Sequence, residues 1–325
     1  VPTTPARPPQ LAGRVFRGST AVAAGWLTRK QLRSSAWVRL RRDVYADASL
    51  PVTYRLRISA VGLSLPDGAG FAGRSAAVLW GALWAAGAAD PVEVVLPPGA
   101  RWNPGADVRV RSMLPGRDLV RRGRWAVTSR VDTTVDLIRF ADTTEAVVLL
   151  DRLVRERVVR LDDVRRATED LPRCWGSGRA REVAALADGL AESQQETRLR
   201  LLMRHAGLPA PVAQFRVRDA DGVVARVDFA YPEVKLAIEY DGMWHGERTA
   251  FLDDRRRLNR LVAAGWVVVH VTAEDLEHPE RFLARLRALH ARRLRGRWMR
   301  ADGPLSEGER ALSVYPSPER PRRRR

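Results

Sequence analysis

Apolar residues recur along the chain in two rhythms, and the changes of rhythm mark out its elements. The signal is clearest from residue 191 onward. In "ESQQETRLRLLMRHAGL" Leu199, Leu202 and Met203 fall at helical spacing, and Gly207 stands where a helix-ending glycine is expected. "PVAQFRVRDADGVVARVDFAYPE" alternates as strands do, with Asp221-Gly222 as a two-residue hairpin turn. "VKLAIEYDG" reads as a third strand and "RTAFLDDRRRLNRLVAAG" as a helix with Phe251, Leu258 and Leu261 inward. "WVVVHVT" then reads as a fourth strand, and "PERFLARLRALHARRL" as a closing helix. The order is αβββαβα, and a helix between the third and fourth strands predicts a parallel crossover.

The front of the chain is patterned more weakly. Thr28 is a good cap for a short helix through Ser34, and "WVRLRRDVYAD" alternates like a strand pair. A short helix before a basic ribbon suits a winged helix-turn-helix, with Lys30 and Arg33 facing the major groove and Arg39, Arg41 and Arg42 meeting phosphates. An ordinary small α+β unit with a solvated basic face fits the same pattern. Further on, the pattern predicts a helix over 55–65, an Ala/Trp-rich apolar helix opened by Arg74 and Ser75, and strands "PVEVVLP" and "DVRVRSM". Thr133 or Thr134 is expected to cap a later helix. The chain thus divides into a disordered Pro- and Arg-rich arm (1–18), a winged-helix-like module (19–54), a middle α/β domain (55–190), an αβββαβα domain (191–297) and a disordered basic tail (298–325). The fold class is mixed α/β.

Counting faces along the strands singles out acids. In "VVARVDFA" Val223, Ala225, Val227 and Phe229 share one face and leave Asp228 on the other. In "VKLAIEYD" Val234, Leu236, Ile238 and Tyr240 share a face, while Lys235, Ala237, Glu239 and Asp241 take the opposite one. The "YPE" loop is short, so the strands should be neighbours with Asp228 and Glu239 about 5 to 8 Å apart. Opposed carboxylates repel, and a hard cation such as Mg²⁺ or Mn²⁺ removes the repulsion by taking oxygen ligands. Asp228 and Glu239, with Asp241, are therefore candidate metal ligands. His245 returns to the same strand end just after Gly242, and Glu196 on the preceding helix is a further acid. The competing reading has these acids solvated and paired with Arg255, Arg256 or Arg257.

Composition adds a partner and a compartment. Lys plus Arg number 56 against 38 Asp plus Glu, a formal net charge of +18, which favours a polyanion, nucleic acid first. Nearly all the basic residues are Arg, so a high-GC coding bias is the rival source of that charge. Cys174 is the only cysteine, which excludes a disulfide framework and a cysteine zinc site. No apolar run reaches the roughly 20 residues that cross a bilayer. "VPTTPARPPQ" lacks the apolar region of a signal peptide. A cytoplasmic protein with no membrane partner is expected.

The stretch "GLPAPVAQFRVRDADGVVARVDFAYPEVKLAIEYDGMWHG", followed by "DDRRRLNRLVAAGWVVVHVT", resembles the DUF559-type domain, related to the very-short-patch-repair endonucleases of the PD-(D/E)xK superfamily. The resemblance implies a restriction-endonuclease-like αβββαβ core. It matches Asp228 to the first acid of the motif, Glu239 to the second and Glu196 to the acid of the first helix. Asp241 stands where the motif has Lys, and "DGMWH" resembles the Trp-His turn of the repair enzymes, which makes Asp241 and His245 catalytic candidates. Asp254, Arg257, Leu261 and Gly265 also fit the family's helix pattern, Asp254 and Arg257 being spaced to pair. "WLTRKQLRSSAWVRLRRDVYAD", with "GRSAAVLWG" and "VTSRVDTTVDLI", is similar to the AbiEi-type antitoxin or regulator architecture, which implies a toxin–antitoxin partner.

The expected activity is metal-dependent hydrolysis of DNA phosphodiesters. Asp228, Glu239, Asp241, His245 and Glu196 would be catalytic, and Mg²⁺ or Mn²⁺ would sit on Asp228, Glu239 and Asp241. The alternative is a DNA-binding transcriptional regulator or antitoxin-like protein whose nuclease-type domain does not cut. A structural RNA- or polyanion-binding protein is the third reading.

Overall fold

The computed structural model describes residues 7–114, 116–219, 222–241 and 248–298, without the side chains of 248–255, 297 and 298. The chain is mixed α/β and folds as two units, Val1–Gly189 and Leu190–Arg325. No helix among the described residues is long and apolar enough to cross a membrane.

The first unit opens with β1 (Val15–Arg17), α1 (Gly18–Ala23), β2 (Trp37–Arg41) and β3 (Val44–Asp47), whose strands form an antiparallel sheet in the order β1-β3-β2. The composition of 1–18 predicts a disordered arm, and over residues 7–18 the structure corrects that expectation. Leu11 and Phe16 are buried with Ala21, Leu27, Leu32 and Trp37, and Phe16 meets Trp37 edge to face with ring centroids 5.1 Å apart. Leu11 and Phe16 give this short segment enough apolar surface to order it against Trp37. The helix expected through Ser34 is a single 3₁₀ turn, Gln31–Arg33. Its N-cap is Lys30 and not Thr28, although the Thr28 hydroxyl accepts the Gln31 amide and Gln31 Oε1 accepts the amide of Thr28.

Next come α2 (Tyr54–Gly62), β4 (Gly70–Phe71), α3 (Gly73–Trp80), β5 (Val92–Leu96), β6 (Val108–Ser112), β7 (Leu119–Arg122) and β8 (Trp125–Thr128). They build a five-stranded sheet, β6-β5-β4-β8-β7, in which β5–β6 and β4–β8 are parallel. The Ala/Trp-rich helix is shorter than its apolar run because Gly81, at φ 114, turns the chain out after Trp80. Four helices close the unit: α4 (Arg130–Phe140), α5 (Thr143–Arg155), α6 (Leu161–Glu169) and α7 (Ser177–Leu186). Ser129, not Thr133 or Thr134, caps α4 by accepting the Asp132 amide. Both threonines lie inside the helix and are buried.

The second unit contains α8 (Gln194–His205), β9 (Val212–Asp219), β10 (Gly222–Tyr231), β11 (Leu236–Tyr240), α9 (Arg248–Ala263), β12 (Val267–Val271), α10 (Ala273–Glu277) and α11 (Pro279–Trp298). The sheet order is β12-β11-β10-β9, antiparallel except for the β11–β12 pair, which α9 joins in parallel. One face carries Phe229, Tyr231, Leu236, Ile238, Val269 and Val271 against Leu199 and Met203 of α8 and Phe282 and Leu286 of α11. The other carries Ala230 and Ala237 against Leu261 of α9 and Trp266. On α8 it is Leu201, beside Leu199 and Met203, that is buried, and Leu202 is only half-buried.

Two irregularities disturb the expected alternation. Gly222, expected in the hairpin turn, already pairs with Asp219 as part of the ladder, and Asp221 lies outside the described residues. Along β10 the register shifts between Val223 and Ala225, leaving Val223 exposed. Gln214 lies between the pairs Val227–Phe215 and Phe229–Ala213 and is left-handed, at φ 51. Beyond it the pattern changes sides: Val227 packs with Ala237 and Leu261, while Phe229 packs with Leu199 and Ile238. Val223, Ala225, Val227 and Phe229 therefore do not share one face. On β11 the side chains alternate as the sequence pattern predicts.

Ile238 is fully buried at the centre of this sheet. Ile238→Ala should cost roughly 2 to 5 kcal/mol, whereas truncating Val262, 61% exposed on α9, should cost well under 1 kcal/mol. Urea unfolding followed by far-UV circular dichroism measures both.

Candidate metal and nucleic-acid sites

The antiparallel ladder between β10 and β11 runs through Tyr231–Leu236, Ala230–Ala237 and Phe229–Ile238, so Asp228 and Glu239 come next in register. At that step the backbone pairing gives way to a side chain: Asp228 Oδ2 accepts the amide of Tyr240 at 2.8 Å. The carboxyl group is thereby held inward, where burial pushes its pKa up to about 6. The Tyr240 amide works against that rise, while the carboxylates of Glu196, Glu239 and Glu192 add to it. Two further sequence candidates, Glu239 and Glu196, thus act electrostatically on Asp228, joined by Glu192.

Each neighbour of Asp228 has a counterweight. Arg257 of α9 donates to both oxygens of Glu239, at 2.6 and 3.1 Å, so the pairing with an α9 arginine is real for this acid. The spacing of Asp254 and Arg257 suggests a pair, but the Asp254 side chain lies outside the described residues. Glu196, 6% exposed, accepts from the Glu192 amide at 2.8 Å and from Gln214 Nε2 at 2.9 Å. Glu192 pairs with Arg226 at 2.6 Å. Asp241 is more exposed, with its Oδ2 3.1 Å from His270 Nδ1 on the neighbouring strand β12. The approach is too poorly aligned to count as a hydrogen bond. His245, with Gly242 and Trp244, lies outside the described residues.

Gln214, His270 and Glu192 are not among the residues that the sequence singles out. Gln214 is recoverable by counting back along the hairpin from Asp228, and His270 stands out as the one polar residue in "VVVHV". Glu192 looks like any exposed helix-flanking acid and gives no signal.

The donors are hard oxygens, the chemistry that Mg²⁺ or Mn²⁺ prefers, and their mutual repulsion is what a divalent cation relieves. Among the described residues no three or more His, Cys, Asp or Glu side chains stand close enough to hold an ion. The donor chemistry fits the cation, and side-chain rotation would have to close the set around it.

The residues expected to meet DNA are placed less favourably. Lys30 and Arg33 are exposed at the 3₁₀ turn, which is too short to lie along a groove as a recognition helix does. Arg41 is committed elsewhere: its guanidinium pairs with Asp107 and donates to the Pro104 carbonyl, and only 11% of the side chain is exposed. Arg39 and Arg42 are exposed, and both line an open cleft of about 720 Å³ with Arg57, Trp102 and Asn103.

No family model matches the chain. The crystal structure of RV2827C protein from Mycobacterium tuberculosis aligns with a TM-score of 0.35 at 15% identity, over 57% of this chain and 74% of that one. Two curated relatives are the "Uncharacterized protein MT2308" of Mycobacterium tuberculosis (strain CDC 1551 / Oshkosh) and the "Uncharacterized protein Rv2248" of strain ATCC 25618 / H37Rv. Each is 33% identical over 203 residues, covering 62% of this chain and 74% of the relative. At that identity and coverage, the chain belongs to the family of the mycobacterial proteins MT2308 and Rv2248.

Proposed function

We propose that the chain is a metal-dependent endonuclease that hydrolyses DNA phosphodiester bonds. On this reading the second unit is a restriction-endonuclease-like nuclease domain, residues 19–54 are a winged-helix-like module and 55–190 a middle α/β domain. The observation that carries it is the state of Asp228: a half-buried carboxyl among three other carboxylates, held near pKa 6, in a chain of net charge +18. Strongly perturbed acids of this kind concentrate at functional sites. The resemblance of the sequence around Asp228, Glu239 and Asp241 to DUF559-type domains supports the same assignment.

Mg²⁺ or Mn²⁺, when bound, supplies an activated water and draws charge from the phosphoryl oxygen. Asp228 and Glu196 would offer it oxygens. Gln214 holds Glu196 in place by its 2.9 Å hydrogen bond. Arg257 neutralises Glu239 in the resting arrangement, and turning toward a phosphodiester would free Glu239 as a further ligand and give the guanidinium two phosphate oxygens to bind. His245 or His270 would carry the proton. The protein would work in the cytoplasm.

The second reading, a DNA-binding regulator or antitoxin-like protein with a toxin partner, draws on two observations. Arg257 already fills the carboxylate that a cation would need, and Asp241 replaces the motif lysine.

Supercoiled plasmid incubated with Mg²⁺ or Mn²⁺ should be nicked or linearised by the wild type. The Asp228→Ala/Glu239→Ala double variant should lose at least about 100-fold of that rate. Equal rates, or no cleavage by either with DNA binding intact, decide for the regulator. The cation itself is checked by pH. Because the folded pKa of Asp228 is raised, the native state binds more protons than the unfolded chain between about pH 4 and 6, and stability contributed by this group falls as pH rises through that window. Asp228→Asn should flatten the fall, and millimolar Mg²⁺ should reverse it in the wild type only. Thermal melting at stepped pH reads both effects.

A further inference from the structure

A second surface, in the first unit, carries chemistry that the acidic site does not use. Trp175 is 67% exposed and stacks on Phe140, itself 37% exposed, with ring centroids 5.1 Å apart and planes inclined by 28°. The guanidinium of Arg111 lies 4.1 Å from the centre of the Phe140 ring and that of Arg139 lies 4.8 Å from it. A lone exposed tryptophan would mean little. This one is held in place. Arg139, only 6% exposed, donates through Nε and Nη2 to the Trp175 carbonyl at 3.2 and 2.9 Å and through Nη1 to Asp136. Gly176 follows in the left-handed region, at φ 79, and a Cβ there would stand 2.5 Å from the carbonyl oxygen of Arg139. A buried arginine and an obligatory glycine thus fix the loop that presents the indole. Fixing a side chain before binding removes part of the ordering cost of association.

The charge around the pair has one sign in excess. Arg109 and Arg111 of β6 share the single carboxylate of Glu93, and Arg173 and Arg179 are exposed on either side of Trp175 in sequence. A flat aromatic face bordered by guanidiniums matches a base together with its phosphodiester: the ring stacks and the cations meet the backbone. Bases within a duplex already stack on both sides, so the face suits an unpaired nucleotide.

We propose that Trp175, stacked on Phe140, is a platform for an unpaired base of single-stranded nucleic acid, with the exposed Arg109, Arg173 and Arg179 to meet its phosphates, Arg109 while paired with Glu93 and Arg179 while donating through Nη1 to the Ala141 carbonyl. This site stands apart from cleavage and does not require the second unit to cut.

The full chain in EDTA is titrated by fluorescence anisotropy against a labelled oligothymidylate, an oligonucleotide of the same length made wholly of abasic sites, a hairpin duplex and heparin. Trp175→Ala should weaken oligothymidylate binding about 5- to 100-fold, the range of one lost stacking contact, and leave duplex and heparin binding unchanged. Trp175→Phe should retain most of the affinity. The wild type should bind the abasic strand as weakly as Trp175→Ala binds oligothymidylate, a comparison that holds even if the variant folds poorly. The proposal is overturned by equal affinity of the wild type for abasic and thymidylate strands. It is likewise overturned if Trp175→Ala loses self-association while strand binding persists, which would make the face a contact between two copies of the chain. The Asp228→Ala/Glu239→Ala variant should bind oligothymidylate as the wild type does, so failure of the platform and failure of the nuclease reading give different patterns.

Discussion

The hydrogen bond from the Tyr240 amide to Asp228 Oδ2 decides the geometry of the acidic site. In an uninterrupted ladder that amide would meet a backbone carbonyl. Here a carboxylate takes it at 2.8 Å, beyond the last regular pair, Phe229–Ile238. The carboxyl group is anchored at the point where the two strands part and cannot swing to solvent without leaving a strand amide unpaired. Everything that perturbs Asp228 follows from that anchoring: its burial, its exposure to the fields of Glu196, Glu239 and Glu192, and its protonation near pH 6.

Four carboxylates close together would be unstable without compensation, and the fold compensates three of them. Glu239 has Arg257, Glu192 has Arg226, and Glu196 has an amide of its own helix approach and the side chain of Gln214. Asp228 has a single neutral amide, against two neutral donors on Glu196 and a guanidinium on each of Glu239 and Glu192, and a neutral donor offsets less of a negative charge than a guanidinium does. A divalent cation would therefore gain most at Asp228. Glu196 doubles as a helix-cap group, reaching back to the Glu192 amide while Ser193 accepts from the Glu196 amide. Loss of Glu196 would weaken α8 as well as any ligand set.

Much of this frame could be read from periodicity, since element order depends on which residues are apolar and how often. The αβββαβα order and the alternation of Leu236, Ala237, Ile238 and Glu239 are of that kind. What escaped depends on single backbone angles or on contacts between distant segments. A left-handed Gln214 has no compositional mark, unlike a left-handed glycine, and at the step of the ladder that it marks Val227 and Phe229 fall on different sides of the sheet. Phe16 and Trp37 order the residues before α1 through a contact that no local pattern announces. Phe140 and Trp175 meet across two helices of intervening chain, so their stack could not be read from either segment alone.

The charge of the chain misleads in a related way. A total of +18 suggests a surface waiting for a polyanion, but many of the guanidiniums are structural. Arg57 donates to the carbonyls of Ala88 and Asp90, Arg165 to those of Ala184 and Ala187, and Arg293 to that of Gly265. Arg41 and Arg257 are taken up by carboxylates. A planar fork of donors closes helix ends and loops in a way that an ammonium group does less well, so an arginine-rich chain can use its cations as internal fasteners. Net charge then says little about where a phosphate would bind. Local arrangement says more: along β6, Arg109 and Arg111 share one buried glutamate, so a single carboxylate is divided between two guanidiniums.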